Sequence, residues 1–342
     1  SSSSLFLRGT KTNHAHLVVD GMRISDVNMT SGGFLGSSNL NGLSRIEVLR
    51  GPQGALYGGD SIGGVIGIYS SKGKGDSSGK LRAEGGSYNT WNTLLAMQGE
   101  SGDFAYSLNL GHEHTDNDLP HNAFEMFSYA LRLDYAVNPC LNVGLTLRGA
   151  DTTFQAPAYG GPYSSPLDDE LRYTMATIFA EYEVNPFWIN KLTLGLYDQE
   201  YHSESPVFGL NPASSYDTDA AKYATYWDNT LKWNDSHTTV VGAVYENSDF
   251  SYQSNYYGIT SDARIRDQYG LYLNHIWDIT EDLNITGGAR WEDYDDYGDE
   301  VTWRVSSAYT LSQTDTTIRA SIGKGFRPPS FVDLYGFGGQ AP

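Results

Sequence analysis

The feature that most constrains this sequence is an alternation of apolar and polar residues that returns in segment after segment from residue 79 onward. In 141–149 the odd positions carry apolar residues and the even positions carry polar ones, and 126–135, 283–291 and 301–311 repeat the pattern. Successive side chains of a β-strand point to opposite faces, so each segment predicts a strand with one apolar and one polar face. No helical periodicity persists over a comparable window.

The arginines of these segments fall on the polar face. An arginine on the lipid face of a barrel costs about 2–4 kcal/mol at mid-membrane, so their shared placement indicates that the other face meets lipid. A soluble sandwich also alternates, but its turns are short at both ends. We therefore predict a transmembrane barrel in which five arginines face the lumen: Arg132, Arg148, Arg290, Arg304 and Arg319.

Connections between the segments alternate between short and long, as periplasmic turns and outer loops of a membrane barrel do. Counting strands from residue 79 to Ile322 gives about 13, whereas a plugged transporter needs about 22. The sequence thus predicts an all-β fold, an antiparallel transmembrane β-barrel that is partial in this chain. The predicted outer loops are 115–124, 153–171, 204–221, 252–265 and 294–300.

Residues 1–78 follow a different pattern of short strands and glycine-rich turns. We expect them to form a unit distinct from the barrel, which takes 79–342. The strand candidates are Leu5–Arg8, Ala15–Asp20, Ile46–Arg50 and Val65–Tyr69.

Composition excludes several functions. The chain of 342 residues has a formal net charge of −19, whereas a nucleic-acid binder needs a basic face. Its single cysteine, Cys140, cannot form an intrachain disulfide. There is no run of about 18 apolar residues, so a transmembrane helix is not expected.

Enzyme chemistry has no support either. His112 and His114 share a strand face with apolar residues, so we expect them at the outer rim rather than in the lumen. Acidic pairs lie in predicted loops without a nucleophile or base beside them. The glycines of 51–64 are not followed by Gly-Lys-Ser/Thr, which excludes a phosphate loop.

Four motifs stand in order near the start of the chain: Leu5-Phe-Leu-Arg-Gly9, Leu17-Val-Val-Asp-Gly-Met-Arg23, Ile46–Gly58 and Ile62–Ile66. This series resembles the plug of TonB-dependent outer-membrane receptors, and Gly325-Phe-Arg-Pro-Pro-Ser330 resembles their mid-barrel segment. The resemblance implies that residues 1–78 are part of a plug, which we expect inside the concave side of the barrel. The resemblance implies active import of a scarce ligand across the bacterial outer membrane, with TonB pulling the plug through a TonB box that this chain lacks. It also implies contact with outer-membrane lipid and lipopolysaccharide.

The same resemblance assigns a plug–barrel lock. Arg8, Glu47 and Arg50 are charged residues in strand-like apolar runs, where an unpaired charge is costly. Carried over from the family pattern, Arg8 and Arg50 pair with barrel acids and hold the plug in the lumen. The alternative is an ordinary exposed pair at a strand end.

For the ligand, the resemblance is greatest to the cobalamin receptors of that family. The 26–39 stretch corresponds to an apical plug loop, whose small polar residues with one Met and one Phe suit an amphipathic corrinoid. A ferric siderophore is less favoured because no basic cluster is present for an anionic complex, and haem because the histidines show no lumenal pairing. A non-transporting adhesion or structural barrel is the remaining alternative. The predicted ligand contacts are Asn28, Met29, Thr30, Ser31, Phe34, Tyr159 and Tyr163.

No cofactor is predicted beyond structural calcium in the outer loops. Asp116 and Asp118 stand in the second predicted outer loop, and Asp168 and Asp169 in the third. Both loops resemble the calcium-binding loops of cobalamin receptors, and calcium takes several oxygen ligands from flexible segments. Solvated acidic loops on an acidic protein are the alternative.

Overall fold

A computed structural model describes residues 7, 9, 14–24, 40–158, 165–255 and 260–335. These residues form two sheets, one of 4 strands and one of 13. We call them the small sheet and the large sheet. No helix among these residues is long and apolar enough to span a membrane.

The small sheet has the strand order β2-β1-β4-β3. Its central strands β1 and β4 run parallel and are almost entirely buried, as their apolar composition predicts. A single helical turn, α1, connects β3 to β4. The bounds are β1 Ala15–Val19, β2 Met22–Ile24, β3 Leu43–Arg50, α1 Gly54–Tyr57 and β4 Gly64–Ser70.

The large sheet is an antiparallel meander in which each strand pairs with its neighbours in sequence, and β5 and β17 are its edges. The predicted number of strands is confirmed. The bounds are β5 Ser78–Gly86, β6 Thr90–Ser101, β7 Phe104–Thr115, β8 Phe124–Asn138, β9 Leu141–Ala156, β10 Leu167–Asn185, β11 Trp188–Ser205, β12 Ser214–Asn234, β13 His237–Ser254, β14 Thr260–Thr280, β15 Leu283–Tyr294, β16 Gly298–Leu311 and β17 Thr316–Lys324.

Several strands are longer than a membrane requires. β12 and β14 have 21 residues each, whereas a tilted transmembrane strand needs about 9–11. Strand pairing therefore continues beyond the apolar band, and the outer loops are shorter than predicted. Asp168 and Asp169 were predicted in a loop but lie in β10. That assignment was wrong because polarity marks where lipid ends and does not mark where backbone hydrogen bonding ends.

The two faces of the large sheet differ as the alternation predicts. One face, the inner face, contacts Ser70 of β4 through Arg132 and Arg148. It also contacts Leu56 of α1 through Arg290 and Gln53, just before α1, through Arg304. Arg319 pairs with Ala308, which is four residues after Arg304 on β16 and so shares its face. Arg319 therefore lies on the inner face as well. The placement of the five arginines is thus confirmed. The other face exposes large apolar side chains, among them Ile178, Tyr223, Trp227, Leu271, Leu273 and Val305.

After β17 the chain turns back over the small sheet. The backbone amide of Asp60 donates to the carbonyl oxygen of Phe326 at 3.0 Å. A Cβ at Gly59 would lie 2.7 Å from Cδ of Pro328, so the two segments pack closely. A short helix, α2 Phe331–Tyr335, follows.

Candidate functional site

Arg23 of β2 is the main link between the two sheets. Its Nε donates a hydrogen bond to Oε1 of Glu246 in β13 at 2.8 Å, and its Nη1 donates to Oε1 of Glu292 in β15 at 3.1 Å. The same Nη1 donates to the carbonyl oxygen of Tyr57 at 2.9 Å, and the backbone amide donates to Oη of Tyr226 at 3.1 Å. The side chain of Arg23 therefore joins two strands of the large sheet, β13 and β15, to α1.

Both carboxylates are deeply buried, with side chains 2% exposed for Glu246 and 1% for Glu292. A buried charge is tolerated only when it is paired and hydrogen-bonded. Oη of Tyr226 donates to Glu246 at 2.5 Å. Nε2 of Gln268 and the backbone amide of Gly59 donate to Glu292 at 2.7 and 2.8 Å. The large sheet, through Tyr226 and Gln268, and the turn after α1, through Gly59, thus supply partners beyond Arg23.

Two further cations complete the group. Nζ of Lys222 lies 3.5 Å from Glu246, and Nη2 of Arg290 lies 2.9 Å from Glu292. We call Arg23, Lys222, Glu246, Arg290 and Glu292 the Arg23 cluster. Its three cations exceed its two carboxylates, so it carries a net positive charge.

Asp60, in the turn after α1, faces this charge. Burial raises the pKa of its carboxyl to about 6, against the lowering effect of Arg327 and Lys222. Nε of Arg327 lies 3.9 Å from Oδ1 of Asp60. An ionised Asp60 therefore offsets the excess charge of the cluster and connects it to the segment after β17.

His16 of β1 is buried beside the cluster, 3% exposed, and neither ring nitrogen has a hydrogen-bond partner. Burial, followed by repulsion from Arg23 and Lys222, lowers the pKa of His16 well below its usual value. The imidazole is therefore held neutral in the folded protein.

A second anchor lies at the end of β4. Nη1 of Arg132 donates to the carbonyl oxygen of Ser70 at 3.0 Å, and Nη2 of Arg148 donates to Oγ of the same serine at 3.2 Å. Asp20 accepts hydrogen bonds from the backbone amide and the hydroxyl of Ser70 at 2.7 and 2.6 Å, which orients it. Arg304 provides a third anchor through Oε1 of Gln53 at 2.9 Å.

Beyond the Arg23 cluster, toward the end of the barrel with the longer loops, the inner face carries a row of aromatic rings. Ring centroids are 6.2 Å apart for Tyr201 and Tyr216, 6.4 Å for Tyr216 and Tyr252, and 6.2 Å for Phe250 and Phe331. We call Tyr201, Tyr216, Phe250, Tyr252 and Phe331 the aromatic wall. Such rings offer apolar faces together with hydroxyl groups.

Two arginines at this level, Arg264 and Arg266, are paired with carboxylates. Arg266 forms a two-nitrogen contact with the carboxylate of Asp296, at 2.7 and 2.9 Å, and Nη2 of Arg264 lies 2.7 Å from Asp262. The wall therefore presents aromatic surface bordered by ion pairs.

Of the predicted lock residues, Glu47 and Arg50 lie in β3, and both are exposed. Glu47 accepts a hydrogen bond from Nε of Arg45, its neighbour on the same strand, at 2.6 Å. Arg8 lies outside the described residues, so a lock formed by these residues stays a prediction.

The predicted calcium ligands are not gathered into one cluster. Asp116 contacts His114 at 3.2 Å, and Asp118 is exposed. Asp168 and Asp169 are adjacent on β10 and so point to opposite faces, Asp169 being buried. The two loop regions do meet, because Nε2 of His121 lies 3.6 Å from Asp168. No group of three or more His, Cys, Asp or Glu is arranged to hold a metal ion in the described ranges. Calcium binding stays a prediction.

The predicted ligand contacts Asn28, Met29, Thr30, Ser31, Phe34, Tyr159 and Tyr163 all lie outside the described residues. His112 lies opposite Phe127, whose ring is exposed, so the predicted outward position of that histidine is confirmed.

Sequence reasoning missed the Arg23 cluster and the aromatic wall. A signal for the cluster existed, because Arg23 stands between Met22 and Ile24 in an apolar run, as Arg8 does in its own run. Glu246 and Glu292 also fall on the polar parity of their strands. The two acids that contact Arg23 are more than 200 residues away in sequence, so no local pattern identifies them.

Comparison with known proteins identifies the family. The family model for the TonB dependent receptor-like β-barrel matches residues 161–342, and the model for the TonB-dependent receptor plug domain matches residues 1–65. The chain is 25% identical to the vitamin B12 transporter BtuB of Photobacterium profundum, over 98% of this chain and 54% of that protein. It thus spans about half the length of this curated relative.

Solved structures share the fold. The ferric yersiniabactin uptake receptor FyuA of Yersinia pestis superposes with a TM-score of 0.77 at 18% identity, over 92% of this chain and 56% of that one. The copper transporter OprC superposes with a TM-score of 0.79 at 13% identity, over 96% and 58%. The family match over more than half of the chain, with a small sheet anchored to the inner face of an open barrel, shows that this chain belongs to the TonB-dependent receptors of the bacterial outer membrane.

Proposed function

We propose that the protein imports a scarce small ligand across the outer membrane, driven by TonB acting on the plug, which is the small sheet. The family consists of receptors and transporters, not enzymes. The observation that carries the proposal is the Arg23 cluster, together with the contacts of Ser70 and Gln53. A plug held by buried ion pairs obstructs the lumen, so passage of a ligand requires work done on the plug.

We further propose that the ligand is a corrinoid. A corrinoid has a large ring with apolar faces and amide side chains, and the aromatic wall offers complementary stacking surface and hydroxyl groups. The arginines at this level are already paired with Asp262 and Asp296, so they offer little free positive charge to an anionic complex. The similarity to a protein named a vitamin B12 transporter supports the same choice.

A ferric siderophore is the alternative, since FyuA takes up ferric yersiniabactin according to its name. Haem follows, and an adhesion barrel is least favoured because a passive scaffold needs no anchored plug. Isothermal titration of the full-length protein with cyanocobalamin, haem and a ferric siderophore distinguishes these ligands. We expect saturable binding of cyanocobalamin alone, and binding of another ligand in its place contradicts the corrinoid proposal.

The aromatic wall can be tested on one strand. Tyr216→Ala removes an inner-face ring of β12, whereas Tyr223→Ala removes an outward ring of the same strand that is 56% exposed. Loss of a stacked ring costs about 1 kcal/mol, so we expect roughly fivefold weaker cyanocobalamin binding for the first variant and no change for the second. If Tyr216→Ala and Tyr223→Ala bind cyanocobalamin with equal affinity, the aromatic wall is not part of the binding site.

We propose calcium as an aid to ligand binding at the outer loops. The expected result is tighter cyanocobalamin binding with calcium than with a chelator, and loss of that difference in Asp116→Ala and Asp118→Ala. If parent and variants bind equally with calcium and with chelator, these acids are ordinary solvated residues.

A further inference from the structure

Two histidines meet on the outward face of the barrel, at the end with the short turns. His237 is the first residue of β13 and lies opposite Trp277 of β14, while His275 lies opposite Thr239. Short turns mark the periplasmic end of such barrels. The large sheet therefore separates the pair from the plug, the aromatic wall lies at the other end of β13, and no contact described above uses the pair.

The spacing of the two rings suits chelation. Nδ1 of His237 lies 3.1 Å from Nε2 of His275, and the ring planes are tilted by 31°. Two nitrogens bound side by side to one metal ion, each at about 2.0–2.1 Å, are themselves about 3 Å apart. The same distance fits a hydrogen bond from one ring to the other, so a metal ion can replace that bond with little movement.

Neighbouring groups orient His275 for this role. Its Nδ1 lies 2.8 Å from Oγ1 of Thr239, and Nε1 of Trp233 donates to the same oxygen at 2.8 Å. A hydroxyl oxygen can accept two hydrogen bonds, one from the indole and one from Nδ1–H of His275. In that tautomer Nε2 carries a lone pair directed at His237. Metal-binding histidines commonly have such a partner on the second nitrogen.

His237 is held on its other side by an aromatic ring. Its imidazole stacks on Trp277, with centroids 5.4 Å apart and planes 21° apart. Before binding, Nδ1–H of His237 donates to His275. When a metal ion takes Nδ1, the proton moves to Nε2 of the same ring, so both imidazoles remain neutral and no net proton is released.

We propose that His237 and His275 form a two-histidine chelate for a divalent transition-metal ion at the periplasmic rim, with water completing its coordination. Imidazole nitrogen selects Cu²⁺, Ni²⁺ or Zn²⁺ over calcium and magnesium, and Cu²⁺ binds most tightly in this series. Cu²⁺ is therefore the probe.

The experiment titrates Cu²⁺ into the full-length protein in detergent and follows tryptophan fluorescence, because bound Cu²⁺ quenches nearby indoles. We expect saturable quenching that falls when Trp277→Phe removes the stacked indole. Electron paramagnetic resonance of the bound ion should show coupling to two imidazole nitrogens.

His237→Ala and His275→Ala each remove one ligand and should weaken the site at least about tenfold, with a single imidazole in the spectrum. Thr239→Val keeps both ligands, removes the orienting hydroxyl and should weaken binding less. His121→Ala, a change in an outer loop, is the control for general histidine binding. Unchanged Cu²⁺ affinity in both histidine variants, or a spectrum with one imidazole in the parent, overturns the proposal.

Discussion

The two edges of the small sheet carry ion pairs in very different surroundings. At one edge β2 places Arg23 between Glu246 and Glu292, whose side chains are 2% and 1% exposed. At the other edge Arg45 and Glu47 of β3 pair at 2.6 Å while 58% and 45% exposed. Water screens the second pair and hardly reaches the first, so burial decides what each pair contributes.

The difference shows where the plug is held. In the sheet order β2-β1-β4-β3, the anchored strand and the exposed strand are the two edges. Of the two edges, the β2 edge carries a deeply buried ion-pair contact with the large sheet, and the ion pair of the β3 edge lies within β3 itself. Displacing the plug would therefore break the Arg23 cluster together with the contacts of Ser70 and Gln53, whereas the pair on β3 offers little resistance.

The largest expected effect comes from removing the buried cation. Arg23→Met leaves two buried carboxylates without the cation that they share and should lower the free energy of unfolding by about 3–5 kcal/mol. Arg45→Met, the matched change at the exposed edge, should cost less than about 1 kcal/mol. Denaturant titration of the full-length protein in detergent measures both. Equal losses would show that burial does not separate the two edges.

A glycine pair gives the next test. Gly58 and Gly51 both have positive φ, +77° and +84°, but a Cβ at Gly58 would collide with Arg23 and Glu292, whereas a Cβ at Gly51 meets nothing within 4 Å. Gly51→Ala should cost about 1 kcal/mol of backbone strain. Gly58→Ala should cost about 1–3 kcal/mol more, from overpacking of the cluster. The difference in denaturation midpoints isolates crowding at the wall, and identical midpoints would argue against it.

The smallest effect is a pH dependence. The pKa of His16 is lowered in the folded protein, so below about pH 6.5 the unfolded chain binds a proton that the folded one does not. Stability should therefore fall as pH drops, by up to about 1.4 kcal/mol per unit. His16→Gln should remove this contribution.

The dependence is best read as the difference between parent and His16→Gln. The pKa of Asp60 is raised to about 6, so its contribution runs the other way and stability falls as pH rises toward that value. Parallel pH curves for the two proteins would mean that His16 is not held neutral.

Much of the barrel was predictable because alternation is a local property. The strand number and the faces of Arg132, Arg148, Arg290 and Arg304 follow from parity alone. Strand ends were less predictable, since pairing in β10 continues through the polar residues Asp168 and Asp169.

The site was harder to predict, because its contacts are not local. Arg23 could be suspected from its apolar neighbours, but its partners are 223 and 269 residues away in sequence. The aromatic wall likewise brings together residues from three strands and one helix, β11, β12, β13 and α2. Single-strand patterns carry no information on such meetings.

The meander of the large sheet has a consequence for the order of folding. Each wall strand pairs only with its neighbours in sequence, so the wall can grow one hairpin at a time at a small entropic cost of loop closure. Arg23 is synthesised early, yet its partners arrive only with β13 and β15. We therefore expect the plug to acquire its native contacts after most of this wall has formed. Until then the guanidinium of Arg23 remains hydrated, and water leaves Arg23 and its carboxylate partners only when the plug docks.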